Sequence, residues 1–246
     1  MWVGVVSIFP EMFRALTDDG VVARAIAQGT LDLAIENPRG HAEDRHNTVD
    51  DRPYGGGPGM VMKVEPLLGA IEALKRRANG PVRTVYMSPQ GERLVQSTVE
   101  RLADEERLLF IAGRYEGIDE RAIDDVVDEE ISLGDFVLTG GELPVMAVID
   151  AVARYLPGTL GNAESADSES FREGLLDWAH FTRPERVLDR SVPAVLLSGD
   201  HAAVRQWRLR DALGRTYERR PDLLSKRRMS AEERLLLDDY LLTPGL

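Results

Sequence analysis

Ile131-Ser132-Leu133-Gly134-Asp135-Phe136-Val137-Leu138-Thr139-Gly140-Gly141-Glu142-Leu143-Pro144 is the segment on which the fold turns. A β-branched run, Asp125–Ile131, leads into it, and a strongly apolar stretch, Leu143–Tyr155, leads out. Strand, glycine-rich loop and buried helix, in that order, form the repeating unit of a parallel sheet with crossover helices. The same order extends upstream. Trp2–Phe9, Leu31–Ile35, Val82–Met87 and Leu108–Ala112 read as strands. Pro10–Leu16, Pro66–Arg76 and Arg93–Ala103 read as helices, with Leu67, Leu68, Ile71 and Leu74 on one face. The expected fold class is α/β, followed by a smaller, mainly helical C-terminal part.

Gly158–Ser170, GTLGNAESADSES, breaks this pattern. It is small, polar and acidic, and reads as a linker or mobile loop. Beyond it, Asp200 is placed to N-cap a helix through Leu213. Ser230 is placed to cap another through Tyr240, with Glu233 completing a capping box. Gly214 leaves open whether the first of these helices runs past Leu213.

The 246 residues carry 30 Lys+Arg against 42 Asp+Glu, a formal charge of −12, with 43% apolar residues. The apolar content excludes a disordered chain. The net charge argues against a nucleic-acid partner, which usually leaves a basic footprint. The distribution weakens that argument. Residues 201–230 hold nine bases and three acids, hence +6, which leaves −18 elsewhere. Residues 100–135 hold 13 acids against 4 bases. On a continuous helix Arg205, Arg208, Arg215 and Arg219 fall within an arc of about 80°. Trp207 and Tyr217 add stacking surface. Taken alone, the stretch fits a solvated basic face and an anionic partner equally well.

The absence of cysteine excludes disulfides, thiolate metal sites and a thiol nucleophile, and fits a reducing compartment. Met1–Pro10 is too short and lacks the basic segment of a signal peptide. No run reaches the roughly 20 apolar residues of a membrane span. The expectation is a soluble cytoplasmic protein with no membrane partner. Phosphate-loop, dinucleotide and zinc-protease signatures are missing, and the four histidines show no zinc spacing, so no metal ligands are expected.

Three glycine clusters stand out: YGGGPGM (Tyr54–Met60), GRYEGIDER (Gly113–Arg121) and the 131–144 segment. SPQG (Ser88–Gly91) is placed, like the last two, at a strand end, where α/β sheets collect ligands. Glycine lets main chain approach a ligand closely. Several such loops in one domain favour a pocket over ordinary turns. With GLLD (Gly174–Asp177), HFTRP (His180–Pro184), VPAVLLSGDH (Val192–His201) and WRLRDALGRTYERRPDLL (Trp207–Leu224), in this order, the set resembles the bacterial tRNA (guanine-N1)-methyltransferase family, TrmD, over nearly the whole chain.

The resemblance implies a SPOUT-type fold whose parallel-sheet N-terminal domain contains a trefoil knot. Knotted chains are rare, and periodicity alone would not propose one. It implies an S-adenosylmethionine-binding domain over residues 1–157, a flexible linker over 158–172 and a helical tRNA-binding domain over 173–246. It further implies a homodimer with active sites shared between chains. The implied activity is tRNA (guanine37-N1)-methyltransferase, which methylates N1 of the guanosine 3′ of the anticodon. The family reaction is Mg²⁺-assisted, although no protein ligands for the ion are evident here.

Carried over by motif, the cofactor-binding residues are Tyr86, Met87, Ser88, Pro89 and Gln90 in one loop, and Gly113, Tyr115 and Glu116 in a second. The third loop supplies Ser132, Leu133, Gly134, Asp135, Phe136, Val137, Leu138, Gly140 and Gly141, and Pro144 closes the site. Arg154, at the end of the helix after the third loop, takes the place of the family's catalytic arginine. The family's general base is the Asp of an Asp-Ser-Phe pattern. This chain reads Ala166-Asp167-Ser168-Glu169-Ser170-Phe171. The gapless register puts Glu169 at that position, and a two-residue shift puts Asp167 there. The gapless register keeps Gly161-Asn162, Ser165 and Gly174–Asp177 in line and favours Glu169. Substrate contacts are expected at Asp50, Gly55, Gly59, Ser165, His180, Arg183, Arg208 and Arg215. The competing readings are a SPOUT methyltransferase acting on rRNA and a non-enzymatic RNA-binding module.

Overall fold

The computed structural model describes residues 1–160 and 169–243. The chain divides into two compact units, Met1–Ala163 and Glu164–Leu246.

In the first unit, strands β1 (Trp2–Val6), β2 (Asp32–Glu36), β5 (Arg83–Arg93), β6 (Arg107–Ile111) and β7 (Glu129–Ser132) form one sheet in the order β2-β1-β6-β5-β7. Every neighbouring pair is parallel. Two short strands, β3 (Asp50–Asp51) and β4 (Val61–Met62), pair antiparallel outside it. The helices are α1 (Arg14–Thr17), α2 (Gly20–Ala27), α3 (Val64–Ala78), α4 (Gln96–Ala103), α5 (Glu120–Val126) and α6 (Glu142–Ala153).

Central strand β6 explains the architecture. Its side chains alternate, yet Leu108, Leu109, Phe110 and Ile111 are all fully buried, because helices cover both faces. Leu108 and Phe110 join Val3, Val5, Val85, Val145 and Ile149 on one side. Leu109 and Ile111 join Leu67, Ile71 and Leu74 of α3 on the other. Burial of each such side chain contributes about 1.5–3 kcal/mol.

Two segments differ from the sequence expectation. Asp125–Ile131 is not one strand: α5 takes its first residues and β7 begins at Glu129. The Asp119 side chain accepts the Arg121 N–H and starts the helix, while Ala122 is buried. A cap and a buried contact outweigh β-branched propensity. Ser88–Gly91 is not a loop beyond a strand. Met87 and Glu92 of β5 both pair with Ile131, so the four residues between them bulge from within the strand. Pro89, which has no N–H, is tolerated at such a bulge. The returning pair Glu92–Arg93 also delays α4, which starts at Gln96.

The second unit holds a hairpin, β8 (Arg186–Val187) with β9 (Arg190–Ser191), and the helices α7 (Ala194–Leu197), α8 (His201–Arg219), α9 (Pro221–Ser225) and α10 (Ala231–Leu242). Asp200 caps α8 by accepting the Ala202 and Ala203 N–H groups. The capping box of Ser230 and Glu233 opens α10. Helix α8 runs unbroken through Gly214 to Arg219. A side chain at Gly214 would collide with the Tyr240 ring, so the glycine makes room for α10 to pack there. Leu175, Ala212, Leu213, Leu236 and Leu237 form the core of this unit.

Candidate active site

The carboxyl ends of β5, β6 and β7 open onto a cavity of about 290 Å³. The bulge of β5 supplies Tyr86–Gln90, the turn after β6 supplies Gly113–Gly117, and the segment at and after the end of β7 supplies Ser132–Gly134, Phe136–Leu138, Gly140 and Gly141. Pro144, in the first turn of α6, completes the wall. Of the expected cofactor residues only Asp135 stays out of the lining. Its carboxylate turns outward to Arg93. Arg114, inside the second expected loop, lines the cavity as well, and Gly117 and Ile131 line it without having been expected.

Main chain holds these loops against each other. Gly141 N–H donates to the Gly113 carbonyl at 2.8 Å. Arg114 and Gly140 form an isolated antiparallel bridge. A Cβ at Gly141 would sit 2.7 Å from Ala112 Cα and 2.9 Å from Gly113 N, so any side chain would force the loops apart. A buried ionic staple reinforces the crossing. Glu142 is fully buried, accepting Ser7 Oγ–H at 2.8 Å and Arg114 Nε–H at 2.7 Å. Arg114 also donates to the Thr139 carbonyl and lies over the Phe9 ring. The lone pairs that burial strips of water are thereby re-satisfied. Ser7 lies 135 residues from Glu142, and no local motif announces the pair.

The first glycine cluster joins the same wall. Glu116 N–H donates to the Met60 carbonyl, and Met62 N–H to that of Gly117. Gly59 faces the Glu116 side chain, whereas Gly55 has open space around it. Asp50 lies in β3 and interacts with Tyr115, whose backbone is left-handed at φ 62°. Burial pushes the Tyr115 phenol up, and the Asp50 carboxylate beside it pushes the same way. Burial also raises the Tyr86 phenol, against a backbone hydrogen bond from Ile118.

Arg154 is the C-cap residue of α6 in the first unit. Glu169, in the second unit, lines a separate cavity of about 270 Å³ with Asp177, Trp178, Arg205 and Arg208. Asp167 and Ser165 lie outside the described residues. His180 pairs through Nε2 with Asp177 at 2.8 Å, and Arg183 lines a further cavity of about 650 Å³. The guanidinium of Arg208 sits 4.8 Å over the Trp178 ring, and Arg215 lies 3.9 Å from Asp211. The basic stretch is less basic than its count. Arg210 is buried against Asp239, Arg220 pairs with Asp222, and Arg227 with Glu233. Two of those acids lie beyond residue 230. Trp178 was not foreseen, because its neighbour Arg208 is thirty residues away.

Among the described residues no three His, Asp or Glu side chains converge as a metal site. The Mg²⁺ implied by the resemblance finds no ligand set there, and no step is assigned to it. No helix among the described residues is long and apolar enough to cross a membrane.

A parallel α/β sheet with glycine loops crossing over a cavity at its carboxyl edge, followed by a helical unit, is the architecture expected of a SPOUT-class protein. The chain belongs to the family described as tRNA (Guanine-1)-methyltransferase TrmD, whose sequence profile matches residues 1–226. It is 60% identical over 242 residues to the tRNA (guanine-N(1)-)-methyltransferase of Pseudomonas aeruginosa, covering 98% of this chain and 96% of that one. The protein of the same name from Pseudomonas fluorescens is 58% identical over 238 residues, covering 97% and 95%. That from Pseudomonas entomophila is 56% identical over 239 residues, covering 97% and 96%.

Proposed function

We propose that this protein transfers the methyl group of S-adenosylmethionine to N1 of the guanosine immediately 3′ of the anticodon in tRNA, as a cytoplasmic homodimer. One observation carries the reading: the three segments that the family motifs mark for the cofactor, the bulge of β5 and the loops after β6 and β7, line a single cavity. That cavity fits an adenosyl group. Its glycines leave main-chain N–H and C=O groups open to an uncharged base, and Leu133, Phe136 and Leu138 supply apolar wall.

When bound, the cofactor supplies an electrophilic sulfonium methyl. The chain's own residues must align guanine with it, remove the N1 proton and hold the charge that grows on O6. Glu169 is assigned the proton. A glutamate keeps the carboxylate of the family's aspartate and adds one methylene. Arg154 is assigned O6 or the adjacent phosphate. Asp50, Gly55, Gly59, Ser165, His180, Arg183, Arg208 and Arg215 are assigned to tRNA, with the domain boundaries as expected from the sequence. Turning the base out of its stack costs a few kcal/mol, which these contacts offset.

The test is methyl transfer from labelled S-adenosylmethionine to unmodified tRNA, with the product nucleoside mapped by mass spectrometry. N1-methylguanosine 3′ of the anticodon is expected, and absence of transfer would reject the reading. Glu169→Gln is expected to abolish transfer and Asp167→Asn to leave it. The reverse pattern in single-turnover assays would move the base to Asp167.

A further inference from the structure

Trp178 stands at the junction of two cavities. It lines the cavity that contains Glu169 and also the larger one of about 650 Å³, which is bounded by His180, Phe181 and Arg183. Only Trp178 and Arg208 belong to both linings, so this pair is the wall between them. The segment carrying Trp178 is laced to α8. Leu176 N–H donates to Thr216 Oγ1 at 2.8 Å, and Ala179 N–H to Asp211 Oδ2 at 2.7 Å. His180 lies 5.6 Å from the same ring, tilted by 46° and anchored by Asp177.

Arg208 differs from its neighbour Arg210. Arg210 is buried and committed to Asp239 and Thr243. Arg208 is exposed and has no ion-pair partner among the described residues, its guanidinium resting on the Trp178 ring instead. An exposed arginine normally keeps its rotamer freedom, so this stack presents a planar cation already oriented. Guanidinium planes and aromatic rings stack on unpaired nucleobases, and the same cation serves the adjoining phosphate. Besides the shared Arg208, the smaller cavity carries three carboxylates, Glu169, Glu173 and Asp177, against one cation, Arg205, a balance that disfavours phosphate. The larger cavity carries Arg183 with one carboxylate, Glu185, and accepts it more readily.

We infer that the Trp178–Arg208 pair is a stacking platform for one unpaired nucleobase that flanks the target guanosine, held in the larger cavity with its phosphate near Arg183. The inference rests on the proposed tRNA substrate and names a subsite within it. The platform substitutes for stacking lost when the loop opens. Trp178 is a positioning residue, since it acts through the Arg208 plane.

The probe is an anticodon stem–loop RNA with 2-aminopurine placed, in two separate RNAs, 5′ or 3′ of the target guanosine. The wild-type protein is expected to quench one of the two by stacking. Trp178→Leu, which takes away the ring that holds the Arg208 plane in place, is expected to abolish that quench and weaken binding about 5- to 100-fold, the range that loss of one base stack covers. Trp178→Phe, which keeps a ring, should retain most of both. Arg208→Gln should reduce the quench and lower the slope of log affinity against log salt by about one. If Trp178→Leu does not fold, the wild-type quench together with the Phe and Arg208→Gln variants decides. No quench at either position overturns the platform, as does Phe damage equal to Leu, or unchanged binding by the Leu variant. Wild-type protein that methylates tRNA without quenching loses only this subsite, whereas wild-type protein that does not methylate loses the proposed function.

Discussion

The cavity at the edge of the sheet and the paired cavities beside α8 are made of different material. The first is lined by loops that meet main chain to main chain, with glycines where they cross and one fully buried carboxylate, Glu142, holding the crossing. The second pair is walled by side chains, among them Trp178, Arg208 and Phe181, on elements set by local caps and α8. A main-chain cavity tolerates little added volume, because the atoms it would displace belong to the fold itself. A side-chain cavity tolerates exchange without unfolding, and its chemistry is tuned residue by residue.

The comparison can be broken most directly at its buried charge. Glu142→Ala leaves Arg114 and Ser7 without their acceptor and is expected to cost about 3–5 kcal/mol. Asp239→Ala removes the partner of Arg210 in the second unit. Because the Asp239 side chain is 60% exposed, the expected loss is at most about 1 kcal/mol. Urea melts of both variants measure this, and equal losses would erase the distinction. Gly141→Ala comes next. Its methyl meets backbone, so a loss of about 1–3 kcal/mol is expected. Calorimetry should also show S-adenosylhomocysteine binding weakened more than tenfold, and full binding would show that the crossing yields. Gly40→Ala, with open space around it, should change neither measurement.

Smaller effects sharpen the contrast. Ser230→Ala removes the cap of α10 and should cost about 1 kcal/mol, read in the melting of the second unit. Glu129 in β7 gives a pH signature for the sheet. Burial pushes its carboxyl up, but hydrogen bonds from Arg101 and Arg83 outweigh that and hold it below the usual glutamate range. A depressed folded value means the contribution is complete above about pH 4.3 and is lost as pH falls through the folded value. Glu129→Gln should therefore flatten the fall in stability below about pH 5. An unchanged slope in stepwise urea melts would reject this.

The sequence was most legible where a signal is local. The helix caps at Asp200 and Ser230, the apolar face of α3 and the buried run of β6 follow from residues within one or two turns of each other. Most of the residues that line the cavity at the sheet edge were legible too, since glycine clusters after strands mark places where main chain must come close. The bulge at Ser88–Gly91 was not legible, because it depends on the register between β5 and β7. Nor was α5, where a cap at Asp119 prevailed over a β-branched run. The basic count in residues 201–230 overstated the exposed charge because Glu233 and Asp239 reach it from α10.

By itself, then, the sequence determined the α/β class, the family and the loops that gather at one end of the sheet. These depend on period, composition and motif order, which need no knowledge of distant partners. Only the tertiary structure decided that Glu142 joins Ser7 to Arg114, that Asp135 turns away to Arg93, and that Trp178 meets Arg208. Each of these is a contact between residues far apart in the chain, and its energy exists only after the backbone has closed the distance.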